Sequence, residues 1–335
     1  MTERSNRQWR LAARPVGAIK ESDFAWHEEP VPPLRAGEAL VRNLFLSLDP
    51  TCRVWISAGD SYLPPVGIGE VVRGITVGVV EESLNDALPV GTHVTGLLGW
   101  QEYAVTDGTG LRPTPQGLPI PLSFYLGLFG HIGLTAYFAL LAVGQPQPGE
   151  TLVVSAAAGA TGSLVGQIGK IKGCRVVGIA GGAEKCRWLR EELGFDAAVD
   201  YKAGALTESL RQHCPHGVDV YFENVGGAIL EAVLNVINVR ARIVLCGLIS
   251  QYNAAAPVPG PANFGSLLVN RARLEGFIVL DYLSRAQEAF ADLGRWYAEG
   301  RIKYREEIVA GLEHAPAALN KLFTGAHKGK LVVKL

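Results

Sequence analysis

The chain carries few cysteines, almost no net charge and no long apolar run, and each scarcity excludes something. Its five cysteines (Cys52, Cys174, Cys186, Cys214 and Cys246) are odd in number, scattered and free of any CxxC pair. That excludes a disulfide framework and a structural zinc site of four closely spaced thiolates, and it suits reduced thiols in a cytosolic enzyme. A formal net charge of -1 over 335 residues leaves no broad basic surface for nucleic acid and no polybasic run for an anionic membrane. No run of about 18 apolar residues is available to span a bilayer. Residues 1–10 lack the apolar segment of a secretory signal. A soluble, cytoplasmic protein is expected.

Catalytic zinc needs roughly three nitrogen, sulfur or carboxylate ligands meeting at one cleft. The tightest cluster of such groups is His213-Cys214-Pro215-His216, in a polar loop ahead of a strand, and no metal is expected there or elsewhere. What the chain has in quantity is glycine, 40 residues, which implies many turns and close backbone approaches. Its length suits two domains rather than one core.

Residues 151–166 organise the rest. A short apolar run over residues 151–155 reads as a strand buried on both faces. Gly159, Gly162 and Gly166 then stand three and four residues apart, where the strand turns into a helix running through Leu164, Val165, Ile168 and Ile171. This spacing lets a pyrophosphate approach the backbone and meet the positive end of the helix. The complete dinucleotide fingerprint has glycine where Ala157 stands, so the version here is relaxed. A second strand over residues 175–180 completes a βαβ unit and ends in Gly181-Gly182. An NAD site usually places a carboxylate at that end. Here Lys185 and Arg187 follow instead, which favours NADP(H), although Arg187 also suits the solvated face of the next helix.

Ahead of this stretch, residues 8–121 alternate in short β-like runs, such as residues 38–46 and 70–80, broken by Pro and Gly clusters. They predict a compact β-barrel-like domain. Pro113, Pro115, Pro119 and Pro121 mark a connection, and a helix is expected over residues 125–143. Behind the stretch, strands are expected near residues 197–199, 218–222, 242–246 and 277–280, with helices between them. Such alternation predicts an α/β fold: a doubly wound parallel sheet with helices on both faces. Ligands on such sheets sit beyond the carboxyl ends of the strands. That rule nominates residues 159–162, 181–185, 201, 224–227, 246–252 and 277–279. Two helices, over residues 286–300 and 315–323, and a strand over 330–335 close the chain. The domains are expected at residues 1–125, completed by about 290–335, and 126–289.

Several segments together resemble one family. They are Leu46-Ser47-Leu48-Asp49-Pro50, residues 67–74, Gly99-Trp100-Gln101-Glu102-Tyr103, residues 133–138, residues 158–162, residues 221–227, residues 246–253 and Gly329-Lys330. In this order they are similar to medium-chain dehydrogenases/reductases, and within them to the zinc-independent prostaglandin/leukotriene reductase branch with its 2-alkenal and curcumin reductases. The resemblance implies a GroES-like first domain and a Rossmann second domain. It implies that Gly159, Ala160, Thr161 and Gly162 cradle the pyrophosphate, and that Lys185 and Tyr201 meet the adenosine 2′-phosphate. Asn224 would lie along the cofactor. Cys246, Gly247, Leu248, Ile249, Ser250 and Tyr252, with Phe277, Ile278 and Val279, would border the nicotinamide half, and Thr135 would sit near the ring. Tyr252 would hold the substrate carbonyl as an enolate develops, the moment when a hydrogen-bond donor helps most.

The departures from the family fall at three places. Thr51-Cys52-Arg53 stands where Tyr-Met-Arg is common, so a bulky aromatic is missing from the expected substrate side. His327 replaces the usual Asn, a cofactor contact, and His131 replaces Met close to the expected nicotinamide pocket, as a polar contact to the substrate or as a packed or solvent-facing side chain. The implied reaction is metal-free hydride transfer from NADPH to the β-carbon of an α,β-unsaturated ketone or aldehyde. Protonation of the α-carbon follows, from Tyr252, a ribose hydroxyl or water. Two alternatives stand: a quinone reductase of the same superfamily, and a non-catalytic NADPH sensor. The apolar run over residues 274–280, at a sheet edge, suggests a homodimer.

Overall fold

The structure, a computed structural model, describes residues 4–59, 61–115, 117 and 119–335. The first three residues of the N-terminal stretch therefore lie outside the described residues. The chain divides into two compact units. One comprises Met1–Gly127, Glu306–His327 and Leu331–Leu335; the other comprises Leu128–Arg305 and Lys328–Lys330.

In the first unit, β1 (Ser5–Leu11) and β2 (Phe24–Pro30) form an antiparallel ribbon. Next along the chain come β3 (Ala39–Ser47), the short helix α1 (Thr51–Trp55), β4 (Thr76–Ser83), β5 (His93–Gly96), β6 (Tyr103–Thr106) and β7 (Arg112–Pro113). The core gathers Trp9, Leu11, Phe24, Leu46, Trp55 and Trp100 with Leu319 and Val333 from the C-terminal segment. Phe24 and Trp100 stack at 5.6 Å. The strand expected over residues 70–80 is shorter than the pattern suggested. A Cβ on Gly74 would lie 2.6 Å from both Leu46 and Trp100, so the chain passes close under the indole there, and sheet pairing begins only at Thr76.

The second unit opens with α2 (His131–Phe138), followed by β8 (Thr151–Val154), α3 (Ala160–Ile171), β9 (Arg175–Ala180), α4 (Ala183–Glu191), β10 (Ala197–Asp200) and α5 (Leu206–His213). It continues through β11 (Val218–Glu223), α6 (Gly227–Leu234), β12 (Ile237–Leu245), α7 (Gly265–Asn270), β13 (Arg273–Gly276) and α8 (Ala286–Ala298). The six strands run in the order β10-β9-β8-β11-β12-β13, with parallel pairing throughout. This is the doubly wound, Rossmann-like arrangement. All four residues of β8 are buried, which is why it reads as a continuous apolar run rather than an alternating one. The order of connection reverses between β8 and β11, so the crevice that such sheets use for ligands opens between them. The chain then returns to the first unit with β14 (Glu306–Ala310) and α9 (Ala315–Thr324), and ends in β15 (Lys330–Lys334). There the order β14-β15-β3-β4-β5-β7, with β6 also on β3, makes a seven-stranded sheet.

Two expected elements are corrected. The helix over residues 125–143 is broken into a 3₁₀ turn, Leu122–Leu126, then α2, then a wider π turn, Ala139–Gly144. The break follows from Gly127 and Gly130, and Gly133 shows how tight it is: a Cβ there would fall 1.9 Å from the Leu128 carbonyl oxygen. The last strand of the parallel sheet is Arg273–Gly276, not residues 277–280. Pairing with β12 ends at Leu245 opposite Gly276. Phe277 is buried by stacking on Tyr282, at 5.1 Å, rather than by a neighbouring strand. No described helix is long and apolar enough to cross a membrane.

Candidate functional site

The turn between β8 and α3 is shaped by residues that each remove a specific obstacle. Ala156 adopts a left-handed conformation, φ 47°, and its carbonyl accepts the Gly159 amide at 2.9 Å. A Cβ on Gly162 would lie 2.5 Å from that same carbonyl oxygen and 2.9 Å from the Ala157 Cα. Gly166 serves packing instead, since its Cβ would fall 1.9 Å from the Phe195 ring. Gly159 takes the N-cap place of α3 in extended conformation, and no side chain caps the helix. The opening amides of a helix have no partner within it, and its dipole is positive at this end. The turn is therefore a fitting cradle for a pyrophosphate. Alongside it, Gly329 forms a parallel bridge with Gly159 and donates its amide to the Ala158 carbonyl at 3.0 Å.

At the ends of β9 and β10, the Tyr201 ring and the Lys202 stem lie against Gly181, whose Cβ would meet them at 2.9 and 3.0 Å. Lys185 is half-buried in the first turn of α4, while Arg187 is exposed. The carboxylate absent from the end of β9 has a neighbour that sequence reasoning missed. Asp200, at the end of β10, accepts the amides of Gly182 at 2.8 Å and Lys202 at 3.0 Å, and so fixes the loop between Gly181 and Lys185.

Between β8 and β11 lies a buried polar network. Glu223 is fully buried and accepts the Ser155 hydroxyl at 2.8 Å, the Tyr221 hydroxyl at 2.8 Å and the Val225 amide. Ser155 in turn accepts the Asn224 amide at 2.8 Å, and the Asn224 side chain donates to the Ser155 carbonyl at 2.7 Å. Burial raises the Glu223 pKa above its ordinary value, against the pull of the donors around it. Glu223 was not foreseen as a site residue. Its only sequence signal was its place between Phe222 and Asn224 in a resembling motif.

The next loop is stitched to this one. The amides of Cys246 and Gly247 donate to the Glu223 carbonyl, that of Ile249 to Asn224 and that of Ser250 to Val225, all at 2.9 to 3.1 Å. Burial pushes the Cys246 thiol up to about 12, so it is no nucleophile at neutral pH. The Tyr252 phenol oxygen accepts the Leu248 amide at 3.1 Å, which anchors the ring to its own loop.

The structure thus carries Gly159, Ala160, Thr161, Gly162, Lys185, Tyr201, Asn224 and the loop from Cys246 to Tyr252 on one edge of one sheet. Phe277 follows β13 with its amide on the Leu245 carbonyl, and Ile278 and Val279 come directly after it. Thr135 and His131 lie on α2 of the same unit. Thr51 and His327 belong to the other unit. Thr51 pairs its hydroxyl with that of Tyr62, and His327 holds its Nδ1 3.2 Å from the Lys321 carbonyl.

The matches to known proteins agree with this architecture. Residues 7–114 match a family model described as the N-terminal domain of oxidoreductase, and residues 160–299 match one described as zinc-binding dehydrogenase. The chain is 47% identical to the NADPH-dependent curcumin reductase of Escherichia coli (strain K12), over 98% of this chain and 97% of that one. The protein is a medium-chain dehydrogenase/reductase of the zinc-independent branch that holds the curcumin and prostaglandin reductases. It is 43% identical to prostaglandin reductase 1 of Rattus norvegicus, over 97% of this chain and 98% of that one. The solved structure of CurA from Vibrio vulnificus in complex with NADPH superimposes with a TM-score of 0.94 at 48% identity, covering 98% of each chain. One matched model is named for zinc. Among the described residues of this dehydrogenase/reductase, however, no three His, Cys, Asp or Glu side chains gather as a metal site. The donor set does not fit that ion.

Proposed function

We propose that the protein is an NADP-dependent oxidoreductase that reduces the C=C bond of α,β-unsaturated ketones and aldehydes. The observation that carries this reading is the uncapped turn from Gly159 to Gly162 at the switch point of the sheet, where Gly162 has no room for a Cβ beside the Ala156 carbonyl. It stands in a chain similar over its whole length to a named NADPH-dependent reductase. Residues 126–289 serve as the nucleotide-binding domain, and residues 1–125, completed by about 290–335, as the GroES-like substrate domain.

Gly159, Ala160, Thr161 and Gly162 offer backbone amides to the pyrophosphate, and Lys185 with Tyr201 meets the 2′-phosphate. Asn224, held by Ser155, lines the cofactor, with His327 as a further contact. The loops from Cys246 to Tyr252 and from Phe277 to Val279, with Thr135, enclose the nicotinamide half. Bound there, the reduced nicotinamide supplies a hydride to the β-carbon of the substrate. Tyr252 donates its proton as a hydrogen bond to the carbonyl oxygen while negative charge gathers on it. The α-carbon then takes a proton from Tyr252, a ribose hydroxyl or water. Thr51 and His131 shape the substrate pocket. The protein acts on small molecules in the cytoplasm.

A homodimer joined along the β13 edge fits the exposed edge strand and the exposed Leu268 and Val269 of α7 beside it. A light-scattering mass of one chain at micromolar concentration rules the dimer out. The activity is tested by following NADPH oxidation across enals, cyclic and aryl enones and quinones, with NADH as control. Enone turnover above quinone turnover supports the reading; the reverse makes the protein a quinone reductase, and NADPH binding without any turnover makes it a sensor.

A further inference from the structure

The mouth of the adenosine side of the crevice is crossed by one ion pair. Lys328 donates to the Glu184 carboxylate at 2.5 Å, across 144 residues of chain. Its two ends have defined addresses. Lys328 adjoins Gly329, which is bridged to Gly159 at the start of α3. Glu184 lies in the first turn of α4, immediately before Lys185. The pair therefore ties the segment before β15, which runs beside the β8–α3 turn, to the first turn of α4, and on such a sheet the adenosine end of a dinucleotide lies beyond the ends of β8 and β9.

Stability is a poor explanation for it. Glu184 is largely solvent-exposed, with a side-chain relative SASA of 72% against 17% for Lys328, and pairs of this kind add little to a fold. The electrostatic surroundings are more telling. Lys328 is the chief cause of the lowered Glu184 pKa, with smaller contributions from Arg187 and Arg305. Lys185 is the neighbouring residue, so several cations surround one exposed carboxylate. That carboxylate stands where a dianionic phosphate is expected, and unpaired it would repel the phosphate.

We propose that Lys328 is a cofactor-selectivity residue: it neutralises Glu184 and adds a cation facing the 2′-phosphate, so that the phosphorylated nucleotide is accepted beside a carboxylate. The inference rests on the NADPH reading above and extends it to two residues of this chain. It makes Glu184 the liability and Lys328 its correction, which a double-mutant cycle resolves.

The test measures dissociation constants for NADPH and NADH by fluorescence titration on the full chain, with no substrate present, and checks folding by thermal melt. Lys328→Ala is expected to weaken NADPH by about tenfold and NADH by less than about twofold, the scale of one lost charge contact near a protein surface. Lys328→Ala combined with Glu184→Gln is expected to recover NADPH affinity to within about threefold of the wild type, and Lys328→Arg to keep the preference. The NADPH loss should shrink as salt rises. Equal weakening of both nucleotides, or an unchanged NADPH constant in Lys328→Ala, overturns the inference while the function stands. So does a double variant no better than Lys328→Ala. A wild type that prefers NADH overturns the cofactor reading and this inference with it.

Discussion

Replacing Tyr252 by Phe removes one oxygen, which accepts an amide in the structure and is the donor in the proposed reaction. As an acceptor it holds the Leu248 amide at 3.1 Å. Losing that bond at a half-buried amide costs about 0.5–1.5 kcal/mol of stability. In the proposed reaction it also donates to the substrate oxygen as charge develops there, and removal of such a donor lowers kcat by about 10² to 10³-fold, roughly 2.7–4 kcal/mol. The catalytic loss should therefore exceed the stability loss severalfold. The ring is retained, and the contact of the phenol oxygen beside Gly247, 3.2 Å from where a Cβ would stand, is lost. The assay pairs enone turnover under saturating NADPH with urea unfolding and NADPH titration of the same preparation. NADPH affinity should stay within about twofold, because the lost interaction belongs to the transition state. Turnover within about threefold of wild type would remove Tyr252 from the mechanism, given how much such a donor contributes elsewhere. An equal fall in NADPH affinity and turnover would make it a loop anchor alone.

Three more outcomes follow from the same geometry. Lys185→Ala should raise the NADPH requirement about tenfold, as expected for one lost charge contact, with little change for NADH; an unaltered NADPH/NADH preference in steady-state kinetics counts against its phosphate role. Gly162→Ala places a Cβ 2.5 Å from the Ala156 oxygen. It should cost about 1–3 kcal/mol of stability through the forced shift and weaken NADPH measurably; a normal melt with normal binding contradicts the cradle. Glu223 has a folded pKa raised by burial, so its titration contributes stability that is fully present below the unfolded value, about 4.3, and lost as pH rises through the folded value. The advantage of wild type over Glu223→Gln in urea unfolding should accordingly shrink as pH rises from about 4.3; an advantage that grows with pH contradicts the assignment.

Local physics was legible in the chain, and distant partnership was not. The β8-α3-β9 unit could be read because the glycine spacing, the apolar run and the helix signals all lie within thirty or so residues. The break before α2 escaped because an apolar helical pattern continues across Gly127 and Gly130, and only the Leu128 carbonyl pressed against Gly133 reveals the close turn. The last parallel strand was placed late because the apolarity of Phe277 belongs to its stacking on Tyr282, whereas β13 is largely exposed and polar. Glu223 was invisible as a site residue since its partner Ser155 is 68 residues away. Asp200 was hidden in the same way, for it caps Gly182 from the next strand.

Ala156 has one further consequence. A side chain held at φ 47° is a conformation that a free peptide avoids, at about 1 kcal/mol or more, and here it is kept by the Gly159 amide and the bare Gly162 beside it. The resting chain has thus already met the entropic cost of ordering the loop. A nucleotide bound as proposed would meet a turn already formed, and its affinity would be spent on contact rather than on shaping the receptor.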